Sequence, residues 1–338
     1  LSAFLNHYFL AAGQVAAALA QLLFLLFFAV REGFVLKPAF HFSNRHLRTM
    51  FLLAGPVILS SSVDQINKLV DRTIASNLSV GGISALNYAN QLNLFVLGIF
   101  VASITVVFYP IISRMAAEKD YDGVRKALSQ TVIAISILII PITIAAVIFA
   151  RPIIEILFGR GAFSEQAVEM TSAALLFYSI GMAGAGLREI LTRGFFSLQD
   201  TMTPMKNSVA AVSLNIVLNF ALAPVLGIGG LALATSISSI VCTFLLFKSM
   251  EKKLGFFEKG RLFLSFGKIL AAALFMGLLM VFLHRFLGQI VHPHVSFICS
   301  SVAGGLFYLL CLHLLKIKEF EEFVFELKTK IDRVYRAG

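Results

Sequence analysis

The chain has 338 residues, of which 58% are hydrophobic and only 14% are charged, and its mean hydropathy is +0.88. Soluble domains are about half apolar and about a quarter charged, so this balance excludes a water-soluble enzyme. The formal net charge of +10 raises the question whether the protein binds nucleic acid, and the distribution of the charges along the chain answers it below. Three cysteines lie in apolar runs at unrelated spacings and offer neither a disulfide framework nor a zinc site: Cys242, Cys299 and Cys311.

Long apolar stretches recur, and many reach the roughly 20 residues that a membrane-spanning helix needs. They predict an all-α, polytopic transmembrane helix bundle of about nine spans, at 8–30, 50–77, 83–112, 123–150, 166–191, 203–224, 229–248, 265–287 and 295–315. Transmembrane strands are excluded because they alternate apolar and polar residues, whereas these runs are apolar all round. Proline interrupts several spans, at Pro56, Pro110 and Pro141. A membrane tolerates such breaks only where a neighbouring helix or a cavity satisfies the freed backbone groups, which favours a packed bundle.

Most of the 28 Lys and Arg residues fall on alternate connections between these spans and on the C-terminal tail. The opposite connections hold only Arg151, Arg160 and Arg285. By the positive-inside rule the richer side, and with it the C-terminus, is predicted to be cytoplasmic. The net charge is therefore topogenic and faces anionic membrane lipids, so no nucleic-acid partner is expected.

A row of four charged residues interrupts the second span. Asp64, Lys68, Asp71 and Arg72 have the spacing of one helix face. Because an ionised group at the bilayer centre costs about 2.5–3.5 kcal/mol even on insertion scales, these residues cannot face lipid. They are interpreted as lining a water-filled cavity that binds a charged solute. The alternative is two self-neutralised pairs, Asp64–Lys68 and Asp71–Arg72, that only hold helices together.

Other polar residues extend this candidate lining. Asn90 and Gln91 lie on a polar face at the start of the third span, and Arg188 in the fifth span either snorkels towards the cytoplasm or faces the cavity. The small residues that precede Arg188 permit close helix approach and are interpreted as packing residues: Gly181, Gly184 and Gly186. HExxH, G-x-S-x-G and Walker A motifs are missing, so the chain is not expected to be an enzyme.

Several motifs together resemble one family. They are Gly55-Pro56 leading into Gln65-Ile-Asn67, Ala85-Leu-Asn-Tyr-Ala89, Leu157-Phe-Gly-Arg-Gly-Ala-Phe163, Arg193-Gly-Phe-Phe-Ser-Leu-Gln-Asp-Thr-Met-Thr-Pro204 and Leu226-Gly-Ile-Gly-Gly-Leu-Ala-Leu-Ala-Thr235. In order and spacing, over about residues 10–315, they resemble the MurJ/MviN family of lipid II flippases. That family belongs to the superfamily of multidrug and oligosaccharidyl-lipid/polysaccharide exporters (MOP). The stretch from Arg193 to Pro204 is the most specific element.

The resemblance implies a fourteen-helix transporter whose two lobes flank a cationic cavity and alternate between inward and outward states. Its substrate would be lipid II, the undecaprenyl-linked peptidoglycan precursor. It would be located in the bacterial cytoplasmic membrane. In that frame, residues 1–48 are the last helix of the first lobe with a cytoplasmic linker, and 49–250 are the second-lobe six-helix bundle. Residues 251–315 are two additional C-terminal spans, and 316–338 are a cytoplasmic amphipathic tail. The family's first five helices are absent, so the chain, which begins at Leu1 without a signal-peptide pattern, is expected to be part of a longer protein.

Two hypotheses about the site follow from the resemblance. The first is that Arg72 and Lys68 contact the anionic head group, while Asp64 and Asp71 hold these two cations in place. At the start of the third span, Asn90 and Gln91 occupy positions where many members of the family have an acidic–basic pair.

The second hypothesis is that a coupling Na⁺ binds to oxygens of the second, sixth and seventh spans, at Asp71, Asn215, Asn219 and Thr235. The alternative is that these polar residues only form contacts between packed helices. No other cofactor is expected. The alternative functions are a polysaccharide-repeat-unit or multidrug exporter, and a non-transporting membrane scaffold that recruits cell-wall synthesis proteins.

Overall fold

A computed structural model of the chain describes residues 7–34, 45–255, 257, 259–317 and 320–321. These residues form α-helices and their connections, without strands, so the predicted all-α fold is confirmed. The helices in chain order are α1 (His7–Arg31), α2 (Arg45–Leu78), α3 (Gly82–Ala117), α4 (Tyr121–Ile148), α5 (Ala150–Phe158), α6 (Glu165–Ser197), α7 (Met202–Leu226), α8 (Ile228–Leu254), α9 (Lys259–Leu287) and α10 (Pro293–Leu314).

The chain divides into two compact units, residues 1–50 and residues 51–338. The first contains α1, whose residues Ala12–Arg31 are long and apolar enough to cross a membrane. Most of the predicted amphipathic tail, 316–338, lies outside the described residues.

In the described part of the chain, eight helices have the length and composition of membrane spans: α1, α3, α4, α6, α7, α8, α9 and α10. They coincide with eight of the nine predicted spans. The remaining predicted span, 50–77, is helical throughout as part of α2 but is not among the eight. The reason is its four charged residues and the serines and asparagines beside them, which lower its hydropathy. The short helix α5 lies where the sequence indicated only a connection between spans.

The second unit is organised around α6, which packs against α3, α4, α5 and α8. On its outer sides α7 packs on α8, and α9 packs on both α4 and α10. A main apolar cluster fills the space between α4, α6, α8 and α9, with large buried side chains such as Leu128, Ile139, Phe195 and Met250. A second cluster lies at the end of the unit that carries α5.

Helices α6 and α8 approach closely because small residues face each other. A Cβ atom added to Gly181 would lie 2.5 Å from the Cα of Ser236. The Ser236 hydroxyl donates to the carbonyl of Phe177 at 2.5 Å, and the Thr243 hydroxyl donates to the carbonyl of Gly184 at 2.7 Å. The glycines of α6 therefore serve packing, as the sequence indicated.

The break at Pro141 is repaired by another helix. Proline has no N–H, so the carbonyl of Ile137, one turn earlier in α4, has no partner within its own helix. Tyr308 of α10 donates its hydroxyl to this carbonyl at 2.8 Å, and all three residues are buried. The expectation that a neighbouring helix satisfies the freed group is confirmed at this position.

Removing the Tyr308 hydroxyl tests this repair. Tyr308→Phe leaves a buried carbonyl unsatisfied, which costs about 1–3 kcal/mol. We expect a lower apparent Tm in detergent, whereas Tyr121→Phe, at an exposed tyrosine, leaves Tm unchanged. Equal Tm values for the two variants would contradict the assignment.

The α6–α8 contact is tested by adding one methyl group. Gly181→Ala forces the two helix backbones apart and is expected to destabilise the protein by about 1–3 kcal/mol. Gly305→Ala, in α10, meets no atom within 4 Å and should be neutral or stabilising, since alanine favours helix over glycine. Thermal unfolding of both variants in the same detergent compares them; a stable Gly181→Ala protein would show that the contact is looser than described.

Candidate functional site

The four charges of α2 occupy two adjacent faces of the helix. Asp71 is buried and Asp64 is half-buried, whereas Lys68 and Arg72 are exposed. Among the described residues, no ion pair joins Asp64 to Lys68 or Asp71 to Arg72. The expectation that the carboxylates hold the two cations in place is therefore not met in this structure. The carboxylates point towards the bundle, and the cations point away from it.

Asp71 instead belongs to a hydrogen-bond network between three helices. Asn219 of α7 donates through Nδ2 to Asp71 Oδ1 at 2.6 Å and to Asn215 Oδ1 at 2.9 Å. Asn215 donates to the hydroxyl of Thr235 in α8 at 3.2 Å, and Thr235 donates to the carbonyl of Leu231 at 3.1 Å. The structure thus brings together the four oxygen-bearing residues that the sequence grouped as a candidate cation site.

The local sequence explains this meeting. Asn215 and Asn219 are four residues apart and so share one face of α7, which packs on α8. Tyr178 of α6 is buried next to Thr235 and within electrostatic reach of Asp71. Sequence reasoning missed Tyr178 because a single tyrosine in an apolar span gives no signal of its partners.

The network has the composition of a site for a hard monovalent cation. It contains oxygens of one carboxylate, two amides, a hydroxyl and a main-chain carbonyl, which are the donors that such ions prefer. The Oδ1 atom of Asn219 is buried without a hydrogen-bond partner. In the described part of the chain, no cluster of three or more His, Cys, Asp or Glu side chains offers a site for a transition metal. The oxygen donors of this network are of the kind that would suit Na⁺.

Asp64 borders a second polar region, between α2, α6 and α7. It lines a cleft of about 150 Å³ together with hydroxyl-bearing residues, namely Ser60, Ser61, Thr192, Thr201 and Ser208. Arg188 is half-buried near Cys242 of α8 and lies in the same neighbourhood as Asp64. The structure thus places Arg188 beside α8, and its position relative to a cavity stays a prediction.

The polar residues of α3 stay apart from this network. Asn90 is half-buried and Gln91 is exposed, and neither takes part in the hydrogen bonds of the Asp71 network. One turn further along, Asn93 is buried and its Oδ1 atom has no partner. Asn93 was not singled out by the sequence, where it is one of three asparagines on a polar helix start.

The motif between Arg193 and Pro204 is a structural element. Asp200 accepts hydrogen bonds from the backbone N–H and the hydroxyl of Thr203 at the start of α7, and Lys253 at the end of α8 binds it at 2.6 Å. Burial raises the pKa of Asp200, but the bonds from Lys253 and Thr203 outweigh this and lower it below its usual value. The start of α7 is therefore clamped to the end of α8.

Comparisons with known proteins agree with this architecture. A curated relative, the probable lipid II flippase MurJ of Vibrio cholerae serotype O1, is 35% identical over 242 residues, which are 72% of this chain and 46% of the relative. A solved structure, lipid II flippase MurJ in an inward closed conformation, matches with a TM-score of 0.68 at 25% identity, over 86% of this chain and 59% of that one.

A second solved structure is a multidrug resistance transporter of the MATE family, from the MOP superfamily, in an outward-facing conformation. It matches with a TM-score of 0.52 at 16% identity, over 81% of this chain and 66% of that one. At this identity the likeness concerns the fold alone. The chain spans about half the length of the curated relatives it matches. The family model for lipid II flippase MurJ matches residues 2–300. Because that match covers most of the 338 residues, the chain belongs to the lipid II flippase MurJ family.

Proposed function

We propose that the protein translocates lipid II, the lipid-linked peptidoglycan precursor, across the bacterial cytoplasmic membrane by alternating access, as part of a longer polypeptide. Family membership supports the substrate class. The observation that carries the proposal is the pair of exposed cations on α2, Lys68 and Arg72, which have no ion-pair partner among the described residues. The reaction involves no covalent step, so the protein acts as a transporter and not as an enzyme.

The exposure of these cations suggests which face of α2 the remaining part of the transporter would cover. Fixed charges in a membrane face water, protein or each other, because lipid makes them too costly. The chain spans only about half of its curated relatives' length. Lys68 and Arg72 would therefore border a water-filled cavity whose opposite wall is formed by the part of the protein outside this chain.

The side chains suit a polyanionic head group. The planar guanidinium of Arg72 can hold a phosphate through two parallel hydrogen bonds, while Lys68 adds a compact positive charge. Asn90, Gln91 and Arg188 would complete the lining, with amide groups for sugars and peptide and a third cation at the cytoplasmic half. Asp64 and Asp71 would shape the positive field without neutralising it, since neither pairs with a cation of α2.

The Asp71 network would hold the coupling ion. Na⁺ would be bound by Asp71, Asn215, Asn219 and Thr235, with the Leu231 carbonyl as a further oxygen, and would supply the charge that balances the buried carboxylate. The side-chain amide of Asn219 presents Nδ2 to Asp71, so an ion at this place requires its Oδ1 atom, which has no partner, to turn towards Asp71. Ion binding would thus alter the contact between α2 and α7.

The positive-inside distribution supports a cytoplasmic C-terminus and a multi-pass position in the inner membrane. The scaffold alternative leaves the charges of α2 without a role, and the two exposed cations oppose the export of cationic drugs. Partners other than lipid II, such as cell-wall synthesis proteins, would meet the cytoplasmic tail.

Loss of the Arg72 charge tests the transport proposal. In a full-length background, Arg72→Ala is expected to abolish complementation of a bacterium depleted of its own flippase, with unchanged protein level in the membrane. The loss follows because alanine removes the bidentate phosphate contact, which the ammonium of Lys68 cannot reproduce. Lys126→Ala, at an exposed cation outside the site, should complement fully. Normal growth with Arg72→Ala would overturn the assignment.

The ion site is tested by thermal unfolding of the chain in NaCl and in choline chloride at equal ionic strength. A ligand at about 100 times its Kd stabilises by about 2.7 kcal/mol, so Na⁺ should raise the apparent Tm by about 5 °C. Asp71→Asn should remove this response and Asp64→Asn should keep it. No response to Na⁺ in the unsubstituted protein would exclude the site.

A further inference from the structure

A second cavity, of about 560 Å³, opens between α3, α5 and α6. We call it the aromatic groove; its lining includes Tyr88, Phe158, Arg160, Phe163 and Thr171. Its size falls within the range of roughly 300–1,000 Å³ that is typical of small-molecule sites. It is separate from the Asp71 network and from the cleft at Asp64, which have other lining residues.

Three aromatic rings form one wall of the aromatic groove. The ring centroid of Tyr88 lies 4.8 Å from that of Phe158 and 5.8 Å from that of Phe163, and the two phenylalanines are 6.0 Å apart. The loop that follows α5 brings these residues together by turning back at Gly161, whose φ of +66° is a left-handed conformation that favours glycine. The motif from Leu157 to Phe163 thus forms part of the wall of the aromatic groove.

Arg160 supplies the only charge among the residues that line the aromatic groove. It is exposed and has no ion-pair partner in the described part of the chain. The two glutamates nearest to it along the described sequence are already bound: Arg151 pairs with Glu155 at 2.6 Å and also with Glu165. The guanidinium of Arg160 is therefore available to an anion.

A buried hydroxyl also points to a ligand. Thr171 of α6 lines the groove and is fully buried, yet its Oγ1 atom has no hydrogen-bond partner in the protein. Buried polar atoms are nearly always satisfied, because leaving one unpaired costs about 1–3 kcal/mol. Because this atom has no accessible surface in the structure, a ligand hydroxyl or amide in the groove would satisfy it after an outward shift of the neighbouring side chains.

These features define one ligand class. The C–H bonds of a sugar ring carry partial positive charge and pack on the negative faces of aromatic rings, and a guanidinium binds phosphate. We propose that the aromatic groove binds a glycosyl phosphate, namely the sugar–phosphate part of the translocated head group on the side of the membrane opposite the cytoplasm. This inference rests on the proposed function for the source of its ligand. Tyr88 and Gln91 lie one turn apart on an exposed face of α3, so the groove adjoins the predicted cavity lining.

Direct binding tests the proposal without requiring transport. The chain contains no tryptophan, so Tyr88→Trp places a single fluorescent reporter in the groove. In nanodiscs, N-acetylglucosamine 1-phosphate is expected to change the emission of this reporter saturably, and lipid II in the same nanodiscs is expected to compete with it. Free N-acetylglucosamine and inorganic phosphate should each bind at least about tenfold more weakly. Equal binding of inorganic phosphate, or no response to the sugar phosphate, would overturn the proposal.

Two variants identify the contacts. Arg160→Gln in the reporter background should weaken binding about tenfold or more, because a charge-assisted hydrogen bond is lost, while Arg285→Gln, at an exposed cation outside the groove, should not. Thr171→Val removes a hydroxyl that has no partner in the protein, so it should weaken binding several-fold without lowering the apparent Tm.

Unchanged affinity in both variants would contradict the site. Binding of the soluble sugar phosphate without competition by lipid II would show that the groove takes a free metabolite, which overturns the head-group assignment. Because Arg72 is outside the groove, Arg72→Ala should leave this binding intact, so a failure here and a failure of the transport proposal remain distinguishable.

Discussion

The structure depends on how a buried carboxylate is satisfied within an apolar helix bundle. Asp71 lies on α2, a helix too polar to be classed with the spans of the described chain, and its partner is Asn219 at 2.6 Å. Without hydrogen bonds, a buried charge of this kind would be very costly. The hydrogen bond from Asn219 therefore turns the Asp71 face of α2 towards α7, and Asn215 and Thr235 extend the network to α8.

The exposure of the two cations on α2 follows from that constraint. Once Asp71 faces the bundle, helix geometry turns Arg72 by about 100° and exposes it together with Lys68. An ion that bound at Asp71 would act on the same helix that carries the two cations. Charge balance at Asp71 is thus linked through α2 itself to the position of the two exposed cations, Lys68 and Arg72.

Much of this fold could be predicted from the sequence because long apolar runs and alternating cationic connections are strong signals. The grouping of Asp71 with Asn215, Asn219 and Thr235 was also accessible, since polar residues in apolar spans need partners. The division of the α2 charges into two faces was not foreseen. On a helical projection the carboxylates fall at one edge of an arc of about 100° and the cations at the other, so a small rotation decides which pair is buried.

Other features were outside the reach of sequence reasoning for physical reasons. The proline at 141 predicted a freed carbonyl, but nothing in the sequence identified Tyr308, 171 residues away from Ile137, as its donor. The helix α5 is only nine residues long and has no side-chain hydrogen bond at its N-cap, so its sequence lacked a helix-start signal. The aromatic groove required knowledge of how the loop after α5 turns, which is set by contacts with α3 and α6.

Water access to α2 in a membrane is the most direct measurement of the central claim. In a full-length background, with Cys242, Cys299 and Cys311 replaced by alanine, single cysteines at Lys68→Cys and Arg72→Cys would be reacted with a membrane-impermeant maleimide in right-side-out and inverted vesicles. The account predicts labelling of both positions from at least one side, at rates approaching that of exposed Lys126→Cys, and no labelling of Leu278→Cys on the apolar surface of α9. If the two α2 positions were as unreactive as Leu278→Cys from both sides, the cavity and the transport function argued from it would be contradicted.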